Sequence, residues 1–256
     1  MNKITSLTNS KIKELVKLKD KKYRDEKGMF LIEGEDIILE ARKNSLLEFI
    51  LTSNDNYKDD IEVIYVTDGI IEKLASTKTP QGLIGVCKIP SNSANLTDKV
   101  IVLDGLQDPS NVGAIIRSAK AFGYNTLMLT NDTVDIYNEK LIRSSKGYSF
   151  SMNIIKNDIK SLLSLLKKEN YYIVTSALKD SKSLEDVQKK DKIAIVIGNE
   201  GRGVSQDSLS SADIIVKIDM REEVESLNAS VAAALLMYEI NKKWEYFSSH
   251  FFIHFY

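Results

Sequence analysis

The sequence is short of the residues that mark secreted, metal-binding or membrane proteins. It has one cysteine, Cys87, so an internal disulfide is excluded. One cysteine and two histidines make a poor ligand set, and no metal site is expected. Both histidines, His250 and His254, fall near the very end of the chain. They lie far from every motif below, which argues against histidine-based nucleophilic or general-base chemistry. No apolar run approaches the ~20 residues that cross a bilayer. The start, Met1-Asn-Lys-Ile-Thr-Ser6, lacks the apolar core of a signal peptide, so a cytoplasmic protein is expected. Neither charge is in excess: 35 Lys and Arg against 36 Asp and Glu give no global reason to expect a nucleic-acid partner.

What is present is more informative. With 43% apolar and 28% charged residues the chain has the make-up of a folded protein, not a disordered one. Its 256 residues suffice for one large domain or two ordinary ones. The charge is unevenly spread. Residues 1–27 hold nine Lys and Arg against four acids. Such a segment suits a phosphate backbone, or is simply a solvated basic helix.

A polar stretch without periodicity, residues 91–98, divides the chain into an amino-terminal domain, 1–90, and a larger domain, 99–247, followed by an aromatic tail, 248–256. In the first domain a helix is expected over Ser10–Asp20, capped by Asn9 or Ser10, with Ile12, Leu15, Val16 and Leu18 near one face. Short strands at 30–32, 49–51, 63–66 and 83–86, with helices at 35–43 and 68–75, predict a small α/β domain. In the second, strands at 100–103, 126–129, 171–175, 193–197 and 214–218 alternate with helices at 111–122, 158–168 and 226–243. Wholly apolar strands such as Ile193-Ala-Ile-Val-Ile197 predict a parallel sheet covered on both faces.

Ligands of open parallel sheets bind beyond the carboxyl ends of the strands, so the loops there matter most. Asp104–Gly113 leads into a helix that Asn111 would cap, and Gly113 would leave its amino end open to a ligand. Arg117 points away from the apolar stripe of Val112, Ile115, Ile116, Ala119 and Phe122, as a solvated arginine would. Gly198-Asn-Glu-Gly-Arg-Gly203 is neither a P-loop nor a dinucleotide fingerprint. It is a backbone cradle for a small ligand or a plain tight turn. Ser226 or Asn228 would cap a helix that is small and apolar nearly all round. Lys140, Arg143 and Lys146 recur every three residues, holding phosphates or lining a polar turn.

Together these segments resemble the SpoU/TrmH family of RNA methyltransferases. Pro109-x-Asn111-x-Gly113-Ala114-x-x-Arg117 is similar to the family's first motif, Ile197-Gly198-Asn-Glu200-Gly201-x-Gly203 to the second, and Glu225-Ser226-Leu227-Asn228-x-Ser230-x-Ala232-Ala233 to the third. Arg143-x-Ser145-x-Gly147 resembles a further family segment. Ile4-x-Ser6, Asn9, Lys11, Phe30–Gly34 and Thr79–Gly82 resemble the ribosomal-protein-like RNA-binding domain of many members. Asp219 and Glu222 depart from the Pro and Gly that members often carry there.

The resemblance implies a trefoil-knotted α/β methyltransferase domain behind a smaller α/β RNA-binding domain, a homodimer, and S-adenosylmethionine as cofactor. It implies cofactor contacts from Thr175, Ser176, Ala177, Leu178, Gly198, Asn199, Gly201, Ile218, Met220, Ser226 and Leu227. It assigns Arg117 to the ribose 2′-hydroxyl, with Asn111, Glu200, Ser226 and Asn228 in support. Arg117 is thus read as catalytic despite its place on the helical wheel. Phosphate contacts are expected from Lys11, Lys22, Arg24, Arg143 and Lys146. A separate RNA-binding domain favours ribosomal RNA over tRNA as substrate. The alternative is a catalytically silent RNA-binding or ribosome-assembly protein on the same fold.

Overall fold

The structure is a computed structural model and describes residues 3–90, 95–177, 181–221 and 223–245. The expectations for Leu178, Glu222, the aromatic tail and the start of the 91–98 linker lie outside the described residues. The chain forms two compact units. One comprises Met1–Ser93, Asp108–Arg117 and Val134–Met152, and the other Ala94–Gln107, Ser118–Thr133 and Asn153–Tyr256.

In the first unit, α1 (Ser10–Lys17) starts where Asn9 Oδ1 accepts from the Lys11 amide, and it buries Ile12 and Leu15. The expected single helix then breaks. Asp20 caps a second helix, α2 (Lys21–Lys27), and Gly28 ends it at φ +63°. Strands β1 (Met29–Glu33), β2 (Leu47–Thr52), β3 (Val63–Tyr65) and β4 (Leu83–Lys88) form one sheet in the order β1-β4-β2-β3. It is antiparallel except for β2 with β3. Helices α3 (Glu35–Lys43) and α4 (Asp68–Leu74) bury Ile37, Ile38, Ala41 and Ile70, Ile71, Leu74. Each buried Ile or Leu among them contributes roughly 1.5–3 kcal/mol.

The second unit is built on a seven-stranded sheet whose pairings are all parallel, in the order β7-β6-β5-β10-β8-β11-β9. Its strands are β5 (Lys99–Asp104), β6 (Thr126–Thr130), β7 (Asn153–Asn157), β8 (Tyr172–Ser176), β9 (Lys182–Ser183), β10 (Ile193–Gly198) and β11 (Ile214–Lys217). The fully buried runs of β5, β6 and β10 are those of a sheet covered on both faces. Val100, Val102, Met128, Ile173 and Val196 share a core with Leu162, Leu163 and Leu166 of α7 (Ile159–Lys168). Helices α5 (Pro109–Ala121), α6 (Glu139–Ser144), α8 (Gln206–Ser211) and α9 (Ala229–Glu245) complete the α-helices among the described residues. Ile142 of α6 and Phe150 belong to the first unit's core, beside Phe30, Ile32 and Ile50.

From β5 the chain proceeds to β6 and β7 on one side, whereas β8, β9 and β11 lie on the other beyond β10. The direction therefore switches at β5 and β10, where crevices form at strand ends.

Candidate active site

Three neighbouring parallel strands of the second unit end at one level. Register places Val196 of β10 opposite Thr175 of β8, and Thr175 and Ser176 opposite Ile215 and Val216 of β11. Thr175, Ser176, Ala177, Gly198 and Ile218 are thereby brought to one edge, and the Ala177 amide donates to Val216 O at 3.0 Å. On the far side of β10, Gly198 pairs with Asp104 at the end of β5.

The loop after β10 folds on itself. Asn199 and Gly203 exchange backbone hydrogen bonds of 2.9 Å, and Asn199 Oδ1 accepts from the Gly201 and Arg202 amides at 2.9 and 3.2 Å. The Asn199 amide reaches Gly105 O at 2.7 Å, tying this loop to the one after β5. A Cβ on Gly198 would lie 2.3 Å from both Gly203 C and Val204 N, so only glycine permits the backbone crossing. Beyond it, the buried carboxylate of Asp104 accepts from Ser205 N at 2.8 Å and Ser208 Oγ at 2.7 Å. This arrangement is a preorganised ligand loop, more than a tight turn.

Small residues at the ends of β8 and β10 leave backbone amides and carbonyls approachable. Thr175 Oγ1 is buried there without a hydrogen-bond partner among the described residues. Asp219, Glu223 and Glu225 are exposed between β11 and α9; Asp219 pairs with Lys217 at 3.7 Å and Glu223 with Arg221 at 3.8 Å, and Glu225 leaves the segment a negative bias. Approachable backbone groups beside a segment with a small excess of negative charge suit a ligand carrying an adenosine and a positive charge. The residues present fit S-adenosylmethionine.

Glu200, Ser226 and Asn228 are exposed, and Met220 and Leu227 half-buried, on the loops of this same unit. Asn228 is the cap anticipated for α9: its Oδ1 accepts from the Ser230 amide at 2.9 Å. On α5, Val112, Ile115, Ile116 and Ala119 are buried and Arg117 is exposed, as the wheel requires. Asn111 is not the cap. The helix begins two residues earlier with Pro109 at its first position, and Asp108 Oδ1 caps it by accepting from Ser110 N at 2.9 Å. Gly113 does not open a helix end to a ligand either. A Cβ there would lie 1.8 Å from Ser144 Oγ and 2.9 Å from Ser145 N, so its role is close packing of α5 on α6.

The basic residues separate. Lys11, Lys22 and Lys146 are exposed and Arg143 is half-buried. Arg24 does not meet the expectation of an RNA contact. It is buried, pairs with Asp135 at 2.6 Å, and donates to Leu18 O and Lys19 O at 2.9 and 2.8 Å. Its guanidinium is spent on holding the α1–α2 corner to the loop before α6.

Residues 98–238 match the SpoU rRNA methylase family and residues 9–85 an MRM3-like substrate-binding domain. The chain belongs to the SpoU rRNA methylase family. It is 31% identical over 246 residues to the 23S rRNA (guanosine(2553)-2′-O)-methyltransferase RlmP of Bacillus subtilis, covering 94% of this chain and 99% of that one. A solved RNA 2′-O ribose methyltransferase, 30% identical, superposes with a TM-score of 0.82 over 95% of this chain and 99% of its own. The SpoU methyltransferase AviRb from Streptomyces viridochromogenes, in complex with AdoMet, shares the fold. It has a TM-score of 0.83 at 22% identity, covering 93% of this chain and 99% of that one. This SpoU methylase is an S-adenosylmethionine-dependent RNA 2′-O-methyltransferase, not the silent alternative.

One residue of the SpoU site escapes sequence reasoning. Asp104 is an acid at the end of an otherwise apolar strand, and that placement is the signal. Its partners Ser205 and Ser208 lie about a hundred residues on, at no recognisable spacing.

Proposed function

We propose that this chain methylates a ribose 2′-hydroxyl of ribosomal RNA in the cytoplasm, as a homodimer with a trefoil-knotted domain at 99–247 and an RNA-binding domain at 1–90. The observation that carries the substrate is the likeness to a 23S rRNA enzyme along nearly the whole of both chains, with the substrate-binding stretch 9–85 included. The dimer has support from α9, where Val231, Leu235 and Tyr238 expose an apolar stripe at helical spacing.

Thr175, Ser176, Ala177 and Leu178 with Gly198, Asn199, Gly201, Ile218, Met220, Ser226 and Leu227 hold the cofactor. S-adenosylmethionine supplies a methyl group made electrophilic by its sulfonium. A ribose hydroxyl is a weak nucleophile, so the protein must align O2′ and stabilise the charge that grows there as its proton leaves. Arg117 does both. A guanidinium with a pKa above 12 is a poor proton acceptor, so Arg117 acts by alignment and charge stabilisation with help from a substrate phosphate, and the proton passes to water as O2′ takes the methyl group. Asn111, Glu200, Ser226 and Asn228 orient Arg117 and the ribose. Lys11, Lys22, Arg143 and Lys146 contact phosphates.

The test is transfer of labelled methyl to purified 23S rRNA, 16S rRNA and tRNA, with ribose-methylation mapping in cells lacking the protein. Methylation of 23S rRNA, lowered about 10²–10³-fold by Arg117→Ala, is expected. A mark lost from tRNA alone overturns the substrate. Equal transfer by Arg117→Ala overturns the role of that arginine.

A further inference from the structure

The loop after β10 is fastened at both ends to two consecutive residues, Asp104 and Gly105, where β5 ends. At its start, Asn199 Nδ2 donates to Gly105 O at 2.7 Å. Past its end, the Ser205 amide donates to Asp104 Oδ2 at 2.8 Å, and the Ser208 hydroxyl donates to the same oxygen at 2.7 Å. The strand end that receives these bonds is itself held, because the Gly105 amide donates to Thr130 Oγ1 of β6 at 2.8 Å. Pinned on both sides, the backbone from Gly198 to Gly203 has little freedom to change its height above the sheet.

Asp104 is the member of this clasp that folding alone does not explain. β5 is apolar and fully buried from Val100 to Leu103. By alternation the Asp104 side chain leaves the sheet on the same face as Val100 and Val102, which share a core with α7. Burying a carboxylate there without a cation is costly, and no Lys or Arg pairs with it among the described residues. An aliphatic side chain would continue the core at no such cost. What the carboxylate adds is one oxygen that holds a main-chain amide and a hydroxyl just beyond the ligand loop.

We infer that Asp104 is a positioning residue for methyl transfer: through Ser205 and Ser208 it sets the Gly198–Gly203 loop at the height where S-adenosylmethionine binds, without touching the cofactor itself. Its contribution is that of an acceptor and not of a charge. Both bonds converge on Oδ2, so a neutral amide oxygen in the same place can accept both. The inference rests on the cofactor contacts proposed above for Gly198, Asn199 and Gly201.

The test is isothermal titration calorimetry of S-adenosylmethionine into the full chain, which reads the dissociation constant and the competent fraction separately. Asp104→Ala should weaken binding at least about ten-fold at full stoichiometry, the effect of losing one hydrogen bond to a charged group. A lowered stoichiometry with an unchanged dissociation constant is the mark of a merely structural residue and overturns the inference. Asp104→Asn should recover binding to within about three-fold of the parent. Equal loss in Asp104→Asn and Asp104→Ala also overturns it, because the charge and not the acceptor then matters. Where Asp104→Ala does not fold, Ser208→Ala decides. It removes one of the two bonds with little change in volume and should weaken binding about three-fold, and an unchanged dissociation constant overturns the inference. If Gly198→Ala is impaired while the Asp104 and Ser208 variants bind normally, only this inference fails. If Gly198→Ala binds normally too, the proposed cofactor loop fails with it.

Discussion

Replacing Arg24 by methionine tests whether this cation is structural or an RNA contact. Methionine keeps most of the stem and removes the guanidinium. The structure gives the magnitude. Arg24 is 6% exposed at its side chain and makes two bonds to Asp135 Oδ2, at 2.6 and 3.2 Å, and two to main-chain carbonyls. Removing one partner of a buried pair costs about 3–5 kcal/mol. Asp135 retains 16% exposure and can hydrate, so the low end, about 3 kcal/mol, applies. That corresponds to a fall in Tm of roughly 6–12 °C. Thermal and urea denaturation followed by circular dichroism would measure it, in a cycle with Asp135→Asn. The double variant should lose less than the sum of the singles, because each single strands the other's charge or dipole. If Arg24→Met melts like the parent, and instead lowers the salt dependence of RNA binding by about one phosphate, the structural assignment is refuted.

Other substitutions probe the loop after β10, the packing of α5 on α6 and an acid-sensitive ion pair. Gly198→Ala forces a Cβ against backbone that cannot yield, so cofactor affinity by calorimetry should fall at least about ten-fold while the first unit's stability is unchanged. Gly113→Ala should cost about 1–3 kcal/mol by overpacking α5 on α6, and adding Ser144→Ala should restore only part, since Ser144 Cβ and Ser145 N still crowd the new methyl at 2.7 and 2.9 Å. Asp59 is held down to about 2 by its bond from Arg42, helped by the Ile61 amide and the Tyr57 hydroxyl. A depressed carboxylate stabilises the fold above its unfolded pKa. Urea denaturation should therefore show a loss of about 2 kcal/mol as pH falls from about 4 to below 2, absent in Asp59→Asn.

The sequence shows most clearly those elements whose own side chains decide them. β5, β6 and β10 are apolar throughout, and α3 and α7 have strong stripes, so their places follow from periodicity alone. The elements that go unanticipated lack this property. α2 buries only Arg24, α8 is Gln-Asp-Ser-Leu-Ser-Ser, and β7 is flanked by asparagines, so their existence depends on partners distant in the chain. The site divides in the same manner. Loops after strands are legible because strand ends are legible, and Gly198 and Asn228 occupy the positions expected of them. Gly113 shows the limit, for its partner Ser144 is remote and an open helix end and a tight helix crossing ask for the same residue.

Arg24 and Arg117 show why charge in a sequence is ambiguous in both directions. Arg24 sits in a run of lysines and is counted with them, although a carboxylate 111 residues away withdraws it from solvent. Arg117 looks like any solvated arginine, and its exposure in the structure is what solvation alone also produces. Burial therefore removes a cation from the candidates for RNA contact, because a guanidinium with its donors satisfied has none to offer a phosphate. Exposure alone cannot add one. What singles out Arg117 is its position six residues after Asn111 on the helix that follows β5, the strand at which the sheet reverses direction.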